Sequence, residues 1–353
     1  MNVTTDCAYF RGDVPCVYNK QFGAHCDDCV YYRPISRRIL IIKLGAIGDI
    51  IRTTPLVRRL KADDPSCEIS WLTYHPEVVP SIVDQVYAFD LKSFSYLQGT
   101  SFDVLYNLDK EKEACGLAMR ISAERKFGFG IQNGKCAPLN EMAQQKWLTG
   151  LFDDISRSNQ KSYQEEVFEM CGLCFAGEKY LLDKPNKYTW SISRETPVIG
   201  LNTGCGGRWV SRLWPEIFWL HLAQKLRGTG YTVILLGGAD EHEQNRRLAR
   251  ESGALYFGYF PLPQFIDLVD QCSLVVTTVT MALHIAIGCE KKIVLLNNIF
   301  NRHEFELYNL GVIVEPAPAC RCFYQSVCAY SPCCMATLSA ETVFAHCQDL
   351  LLE

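Results

Sequence analysis

The 353-residue sequence predicts an α/β protein built from two Rossmann-like domains that face a central cleft. Three observations predict it. From Arg38 onward, short apolar runs at 39–42, 68–72 and 104–106 alternate with longer amphipathic stretches, as βα units do. The second half repeats the alternation at 198–201, 233–236, 274–276, 293–296 and 312–314, and these uninterrupted runs read as strands of a parallel sheet buried on both faces. Between 181 and 196 the residues Asp183, Lys184, Pro185, Asn186 and Lys187 break the pattern before a new strand begins. The expected organisation is a cysteine-rich segment over 1–35, a first Rossmann-like domain over 36–190 and a second over 191–353. The cleft between the halves is the expected ligand site.

Composition narrows the function. With 48% hydrophobic and 21% charged residues the chain can fill two cores. A formal net charge of −4 lacks the cationic excess that attracts polyphosphate, so no nucleic-acid partner is expected. No apolar run reaches the roughly 18 residues of a membrane span, and the first ten residues do not resemble a leader, so a cytoplasmic location is expected. In that reducing setting eighteen cysteines read as metal ligands or inert buried thiols rather than disulfides.

Chemistry concentrates where strands end. Lys43-Leu44-Gly45-Ala46-Ile47-Gly48-Asp49 follows the first strand, and Gly45 and Gly48 allow backbone to approach a ligand. Asp49 stands where the loop turns into helix. It is a candidate general base for an acceptor hydroxyl, the alternative being a plain helix N-cap. Arg52 follows on the same segment, and Pro55 suggests that regular helix begins only near Thr54 or is kinked there. After the second domain's first strand, Asn202-Thr203-Gly204-Cys205-Gly206-Gly207-Arg208 offers backbone N–H groups to a pyrophosphate. Thr203, Gly204, Gly206, Gly207, Arg208 and Arg212 are the donor-side candidates. Guanidinium groups there suit a departing nucleotide diphosphate, the alternative being surface arginines beside a glycine turn. Leu235 to Glu241 is a strand running into a glycine turn and a carboxylate, a place for ribose hydroxyls. Residues 277–286 carry Thr280 and His284 at the start of a further helix, where a lone His reads as a donor contact or equally as a satisfied core or capping residue.

The cysteines form two groups. Cys7, Cys16, Cys26 and Cys29, spaced C-x8-C-x9-C-x2-C, sit in a segment too small to fold on a core of its own. Four thiolates there are expected to hold a structural zinc or iron ion, with His25 an alternative ligand and inert packed thiols the alternative reading. The second group is Cys320, Cys322, Cys328 and Cys333-Cys334. It offers a second metal site through Cys320, Cys322, Cys328 and Cys334, or a share in one common site.

The run Lys43 to Leu56, K-L-G-A-I-G-D-I-I-R-T-T-P-L, resembles the amino-terminal signature of the ADP-heptose:lipopolysaccharide heptosyltransferase family, glycosyltransferase family 9, of the two-domain GT-B fold. The resemblance spans residues 38–350 and implies that Asp49 is the general base, with Gly45, Gly48 and Arg52 around it on the acceptor side. Gly204 to Pro215 is similar to the family's donor motif, and Arg212 falls where many members carry a phosphate-contacting Lys. Leu235 to Glu241 is similar to a G-G-x-x-E turn whose Glu serves the nucleoside. Thr280 and His284 match the family's D-T-G-x-x-H segment, but Val279 and Met281 replace its Asp and Gly, so the donor sugar need not be a heptose. The tail cysteines resemble those of many members, with the first spacing one residue shorter. The resemblance implies direct, inverting sugar transfer from a nucleotide sugar, most simply an ADP-sugar, to a lipopolysaccharide-core or other glycan or lipid-linked acceptor. It implies no catalytic cofactor and peripheral contact with the inner membrane face. A nucleotide-sugar epimerase or hydrolase on the same scaffold, or a non-catalytic sugar-nucleotide-binding protein, are the competing readings.

Overall fold

The computed structural model describes residues 2–352. The chain divides into two compact units. One contains the chain through Gly45, Thr53–Trp147 and Val167–Glu178; the other contains Ala46–Arg52, Leu148–Glu166 and the chain from Lys179 onward.

The first unit carries six strands: β1 (Arg38–Ile42), β2 (Glu68–Thr73), β3 (Gln85–Ala88), β4 (Ser101–Asn107), β5 (Ser122–Gln132) and β6 (Lys135–Pro138). Their order is β3-β2-β1-β4-β5-β6. The first five are parallel and β6 runs antiparallel to β5. Ile39 to Ile42 are all 0% exposed, as a central strand covered on both faces requires. The second unit carries β7 (Val198–Asn202), β8 (Thr232–Leu236), β9 (Leu274–Thr278), β10 (Lys292–Leu296) and β11 (Gly311–Val314). All are parallel, in the order β11-β10-β9-β7-β8. Helices Glu216–Gly228 and Ala340–Leu352 close one face of this sheet through Trp219, Leu222, Leu226, Val343 and Cys347.

Strand order locates the chemistry. In the first sheet the winding reverses between β1 and β4, in the second between β7 and β9, and in doubly wound sheets ligands bind beyond the carboxyl ends at such reversals. The loops after β1 and β7 and the helix after β9 are therefore the ones placed to act.

The eight strands expected from apolar runs are all present. Three were not read from sequence: β3, whose residues are half-exposed or exposed, and the β5–β6 pair, whose polar stretches hide the pattern. Of the two expectations at the first loop, a helix beginning only near Thr54 is overturned and a helix interrupted there is found: helix Ile47–Thr53 precedes Pro55–Asp63. The break at Pro55, which has no N–H to continue the ladder, is where it was expected. Among the described residues no helix is long and apolar enough to cross a membrane.

One glycine is required by the first sheet. Gly128 has φ +90° opposite Asn107, and an added Cβ would lie 1.8 Å from the Asn107 carbonyl oxygen. Gly128→Ala is expected to cost about 2 kcal/mol or more in thermal unfolding, from left-handed strain plus the clash.

Candidate functional site

Asp49 lies in the first turn of the seven-residue helix Ile47–Thr53. Its Oδ2 reaches back toward the Ala46 N–H at 3.4 Å, and its Oδ1 pairs with Arg52 Nη2 at 2.9 Å. Three residues apart on one helical turn, the two face each other. Arg52 then extends to Glu304, Nη1 to Oε1 at 3.0 Å, and its guanidinium lies 3.6 Å from the centre of the Tyr163 ring. Burial alone would pull the Arg52 pKa down, but Asp49 and Glu304 outweigh it and hold the cation above its ordinary value. Tyr324 donates to the other Glu304 oxygen at 2.8 Å, and burial raises that phenol. The outcome is one guanidinium between two carboxylates, with Asp49 the more exposed of the two, 36% against 19%.

Gly48 is fixed by His284. A Cβ at position 48 would stand 2.7 Å from His284 Cδ2, so only glycine admits the ring. His284 is buried in the helix Met281–Gly288, and burial with the nearby Arg52 charge drops its pKa to about 3, against a smaller opposing effect of Asp49. Gln164 Nε2 donates to the Tyr180 hydroxyl at 2.9 Å, and that hydroxyl meets His284 Nδ1 at 3.3 Å. With the hydroxyl donating onward, Nδ1 accepts and Nε2 keeps the proton. His284 is thus a neutral, oriented imidazole and brings no cation to the site.

On the loop after β7, Asn202 Nδ2 bonds to the Gly204 carbonyl and to the hydroxyls of Thr277 and Thr280, at 3.3, 3.1 and 3.3 Å. The Thr203 hydroxyl donates to Asn245 at 2.6 Å. Both threonines are therefore braces of the loop. Gly204 leaves room for Glu241, whose carboxylate would lie 2.0 Å from an added Cβ and accepts from the Gly238 N–H at 2.9 Å. Gly206, at φ +69°, and Gly207 are exposed with open space above them, so backbone there can meet a ligand.

The two arginines differ. Arg208 is exposed, against the Trp209 ring at 5.2 Å. Arg212 is 7% exposed, donates from Nη2 to the Cys205 carbonyl at 2.5 Å and from Nε to Trp209 at 3.4 Å, and among the described residues has no carboxylate partner. Burial pulls its pKa down to about 10, still charged at neutral pH. Its guanidinium also lies 5.5 Å from the centre of the Phe300 ring. A buried cation held by carbonyls and a ring face, with no carboxylate partner among the described residues, is set up to receive an anion.

The tail cysteines pack on the turn that carries Arg212. Ser211 bonds to the backbone of Gln325 and Ser326, and Cys333 Sγ meets the Ser211 carbonyl. Cys322 and Cys328 sulfurs lie 3.6 Å apart, and Cys320 accepts from the Cys322 N–H. Among the described residues no group of three or more His, Cys, Asp or Glu side chains is arranged, as placed, to hold a metal ion. On the amino-terminal side of the site, Lys43 and the Leu44 N–H both donate to the buried Asp109 carboxylate, fixing the end of β1.

A profile of glycosyltransferase family 9 (heptosyltransferase) matches residues 94–309, more than half of the chain. The chain belongs to this family. It is accordingly a glycosyltransferase. It is 24% identical to lipooligosaccharide heptosyltransferase 2 of Haemophilus influenzae over 73% of this chain and 82% of that one. It is 28% identical to lipopolysaccharide heptosyltransferase 2 of Salmonella typhimurium over 34% of this chain, a match spanning 35% of the relative's length. The fold is similar to a family 9 glycosyltransferase of Veillonella parvula, TM-score 0.69 at 16% identity, covering 90% of this chain and 97% of that one. It is also similar to the E. coli ADP-heptose heptosyltransferase II, TM-score 0.65 at 18% identity, covering 89% and 98%.

The structure gathers Gly48, Asp49, Arg52 and His284 into one network, and Thr203, Gly204, Glu241 and Thr280 around the second loop. Arg208 stands outside both. Sequence reading missed Glu304, Tyr163, Tyr180, Tyr324, Asn245 and Asp109, most of them distant in sequence from the loops they serve; of these only Asp109, just past the end of β4, carried a positional signal.

The His284 environment has a pH signature. Its pKa is depressed in the folded state, so the stabilisation is complete above the ordinary value near 6.5 and is lost as pH falls from there toward 3. Between pH 7 and pH 5, wild type is expected to lose roughly 2 kcal/mol more unfolding free energy than His284→Gln, read by urea denaturation at each pH.

Proposed function

We propose that this glycosyltransferase moves a heptose or a closely related sugar from a nucleotide sugar, with ADP as the nucleotide, onto a lipopolysaccharide-core or other glycan acceptor, inverting the anomeric centre. The observation that carries the reading is Arg212, a buried guanidinium that has no carboxylate partner among the described residues, at the foot of the glycine loop after β7. A nucleotide diphosphate leaving group supplies the anion such a cation lacks. The named relatives add the sugar: curated ones are lipopolysaccharide or lipooligosaccharide heptosyltransferases, and an E. coli heptosyltransferase of similar fold, TM-score 0.60, is described with ADP.

In this mechanism Asp49 takes the proton from the acceptor hydroxyl as it attacks the anomeric carbon. Arg52, shared with Glu304, orients the Asp49 carboxylate, and Asp49 stays reachable from solvent. Departure of the nucleotide diphosphate is assisted by Arg212, by Arg208 from the exposed side and by the N–H groups of Gly206 and Gly207. Glu241 receives the ribose hydroxyls. Residues 36–190 then serve the acceptor and 191–353 the donor. Val279, in place of the family's Asp, offers no hydrogen bond to the sugar, which is why a related sugar belongs in the proposal. The chain works in the cytoplasm, with its acceptor presented at the inner membrane face.

The test is transfer from a panel of nucleotide sugars, ADP-heptose included, to core oligosaccharide, corrected for hydrolysis. Acceptor-dependent release of nucleotide diphosphate should fall about 10²- to 10⁴-fold in Asp49→Asn, with donor KM little changed. Arg212→Ala should lower kcat by about 10²- to 10³-fold and weaken nucleotide diphosphate binding in calorimetry. Release that ignores the acceptor and survives Asp49→Asn would instead select the hydrolase or epimerase reading.

A further inference from the structure

The amino-terminal segment poses a stability problem that the transferase core does not solve. No residue from 2 to 38 is buried, yet the segment holds a defined conformation. Helix Val17–Phe22 is closed by Cys16, whose sulfur accepts the Asn19 N–H at 3.4 Å, and by Gly23 at φ 65°. Cys7 forms an isolated bridge with Pro34, and Tyr18 stacks on Tyr31 at 4.1 Å. A segment of this size without an apolar core needs a covalent or metal staple.

The thiols are placed to be that staple. Cys7 lies at the bridge, Cys16 at the helix start, Cys26 at the opening of the turn Cys26–Asp28 and Cys29 at its end. From these four backbone positions all four line a single cavity of about 30 Å³, together with His25. Such a space exceeds one water-sized sphere and so admits an ion. Cysteines with packing roles in this chain look different: Cys67, Cys115, Cys171, Cys272, Cys289 and Cys347 are buried in the domains, whereas these four are half-exposed and none is in a disulfide. Among the described residues no carboxylate, Lys or Arg lines the cavity; beside the hydroxyls of Thr4 and the tyrosines, its metal-binding groups are soft sulfur and one imidazole.

We propose that Cys7, Cys16, Cys26 and Cys29 bind one zinc ion that holds the amino-terminal segment folded. As placed, the sulfurs line the cavity wall without converging on a common point. Each thiol swings about a single χ1 bond, and metal binding and ordering of such a site are one event. Tetrahedral Cys₄ coordination fills all four positions, which makes the site structural and closed to substrate. The site is independent of the sugar donor and of the residues assigned to transfer.

The experiment uses the full chain carrying Cys320→Ser, Cys322→Ser, Cys328→Ser, Cys333→Ser and Cys334→Ser, which removes the tail thiols as a second source of metal. Metal content after gel filtration should show one zinc per chain, and adding Cys26→Ser and Cys29→Ser should abolish it. Should the added substitutions leave the protein insoluble, stripping zinc from the tail variant with a chelator gives the second reading. Rapid protease cleavage within residues 1–35, reversed by returning zinc, supports the proposal. No metal in the tail variant, iron in place of zinc, zinc retained after Cys26→Ser and Cys29→Ser, or protease resistance unchanged by chelation would each overturn it.

Discussion

The site depends on how one buried guanidinium is shared. Arg52 sits on a helix of only two turns, enclosed by Tyr163, with Asp49 on one side and Glu304 on the other. Taking an isolated cation out of water costs several kcal/mol, and a single carboxylate often fails to offset it. Two carboxylates do, but they leave the trio with one excess negative charge. Glu304 is the more enclosed acid and its second oxygen already accepts from Tyr324, whereas Asp49 is the member that solvent reaches. An arginine between two acids thus orients the candidate base without wholly neutralising it.

The rest of the fold explains why that helix and the glycine loop occur where they do. Parallel strands place every connection of one kind at the same sheet edge, and the reversals of winding beside β1 and β7 part neighbouring crossovers there. Each edge is held by side chains that do no chemistry of their own. Asp109, from the end of β4, gathers Lys43 and the Leu44 N–H at the end of β1. Asn202 ties the glycine loop to Thr277 and Thr280, and Asn245 holds Thr203. These bonds lie in buried surroundings, where a broken hydrogen bond is expensive, so they keep the loop backbone in place before any ligand arrives.

How much of this was readable from sequence follows from the range of each interaction. Uninterrupted apolar runs announce buried parallel strands, because a strand covered on both faces has no polar side, and so β1, β2, β4 and β7 to β11 were legible. β5 was not: Glu124 and Arg125 are exposed and Lys126 is half-buried, and this charged run gives no apolar alternation long enough to recognise. Asp49 and the glycine loop were legible because loop chemistry is local, glycine spacing and one carboxylate within a few residues. Glu304 was invisible, since its partner Arg52 lies 252 positions away in the chain. His284 was legible in part: its motif suggested a ligand contact and its place on a helical pattern a core residue, and its burial against Gly48 and its tie to Tyr180 make it a neutral packing element whose remaining N–H is oriented.

The two departures from the family motif act on different parts of a donor. Arg212 in place of Lys keeps a positive charge, but a guanidinium has a fixed fork of donors where an ammonium has a swivelling point charge. Here part of the fork is consumed internally, by the carbonyls of Cys205 and Trp209, which sets its plane. The turn behind it is anchored in turn by Ser211 to the backbone of Gln325 and Ser326, so the cysteine-rich tail contributes to the aim of the cation. Under the proposed function, phosphate recognition is in this way preserved and made more rigid. Val279 and Met281 alter the opposite end: they precede and open the helix Met281–Gly288, whose first residues bring no acidic side chain and whose cap residue Thr280 is turned to Asn202 and Thr277. A hydroxyl-rich sugar placed there meets backbone N–H groups and apolar side chains in place of a carboxylate. Under the proposed function, selectivity among sugars then rests on shape at Val279 and Met281 more than on a charged hydrogen bond, and shape discriminates less sharply between sugars that differ by one hydroxymethyl group.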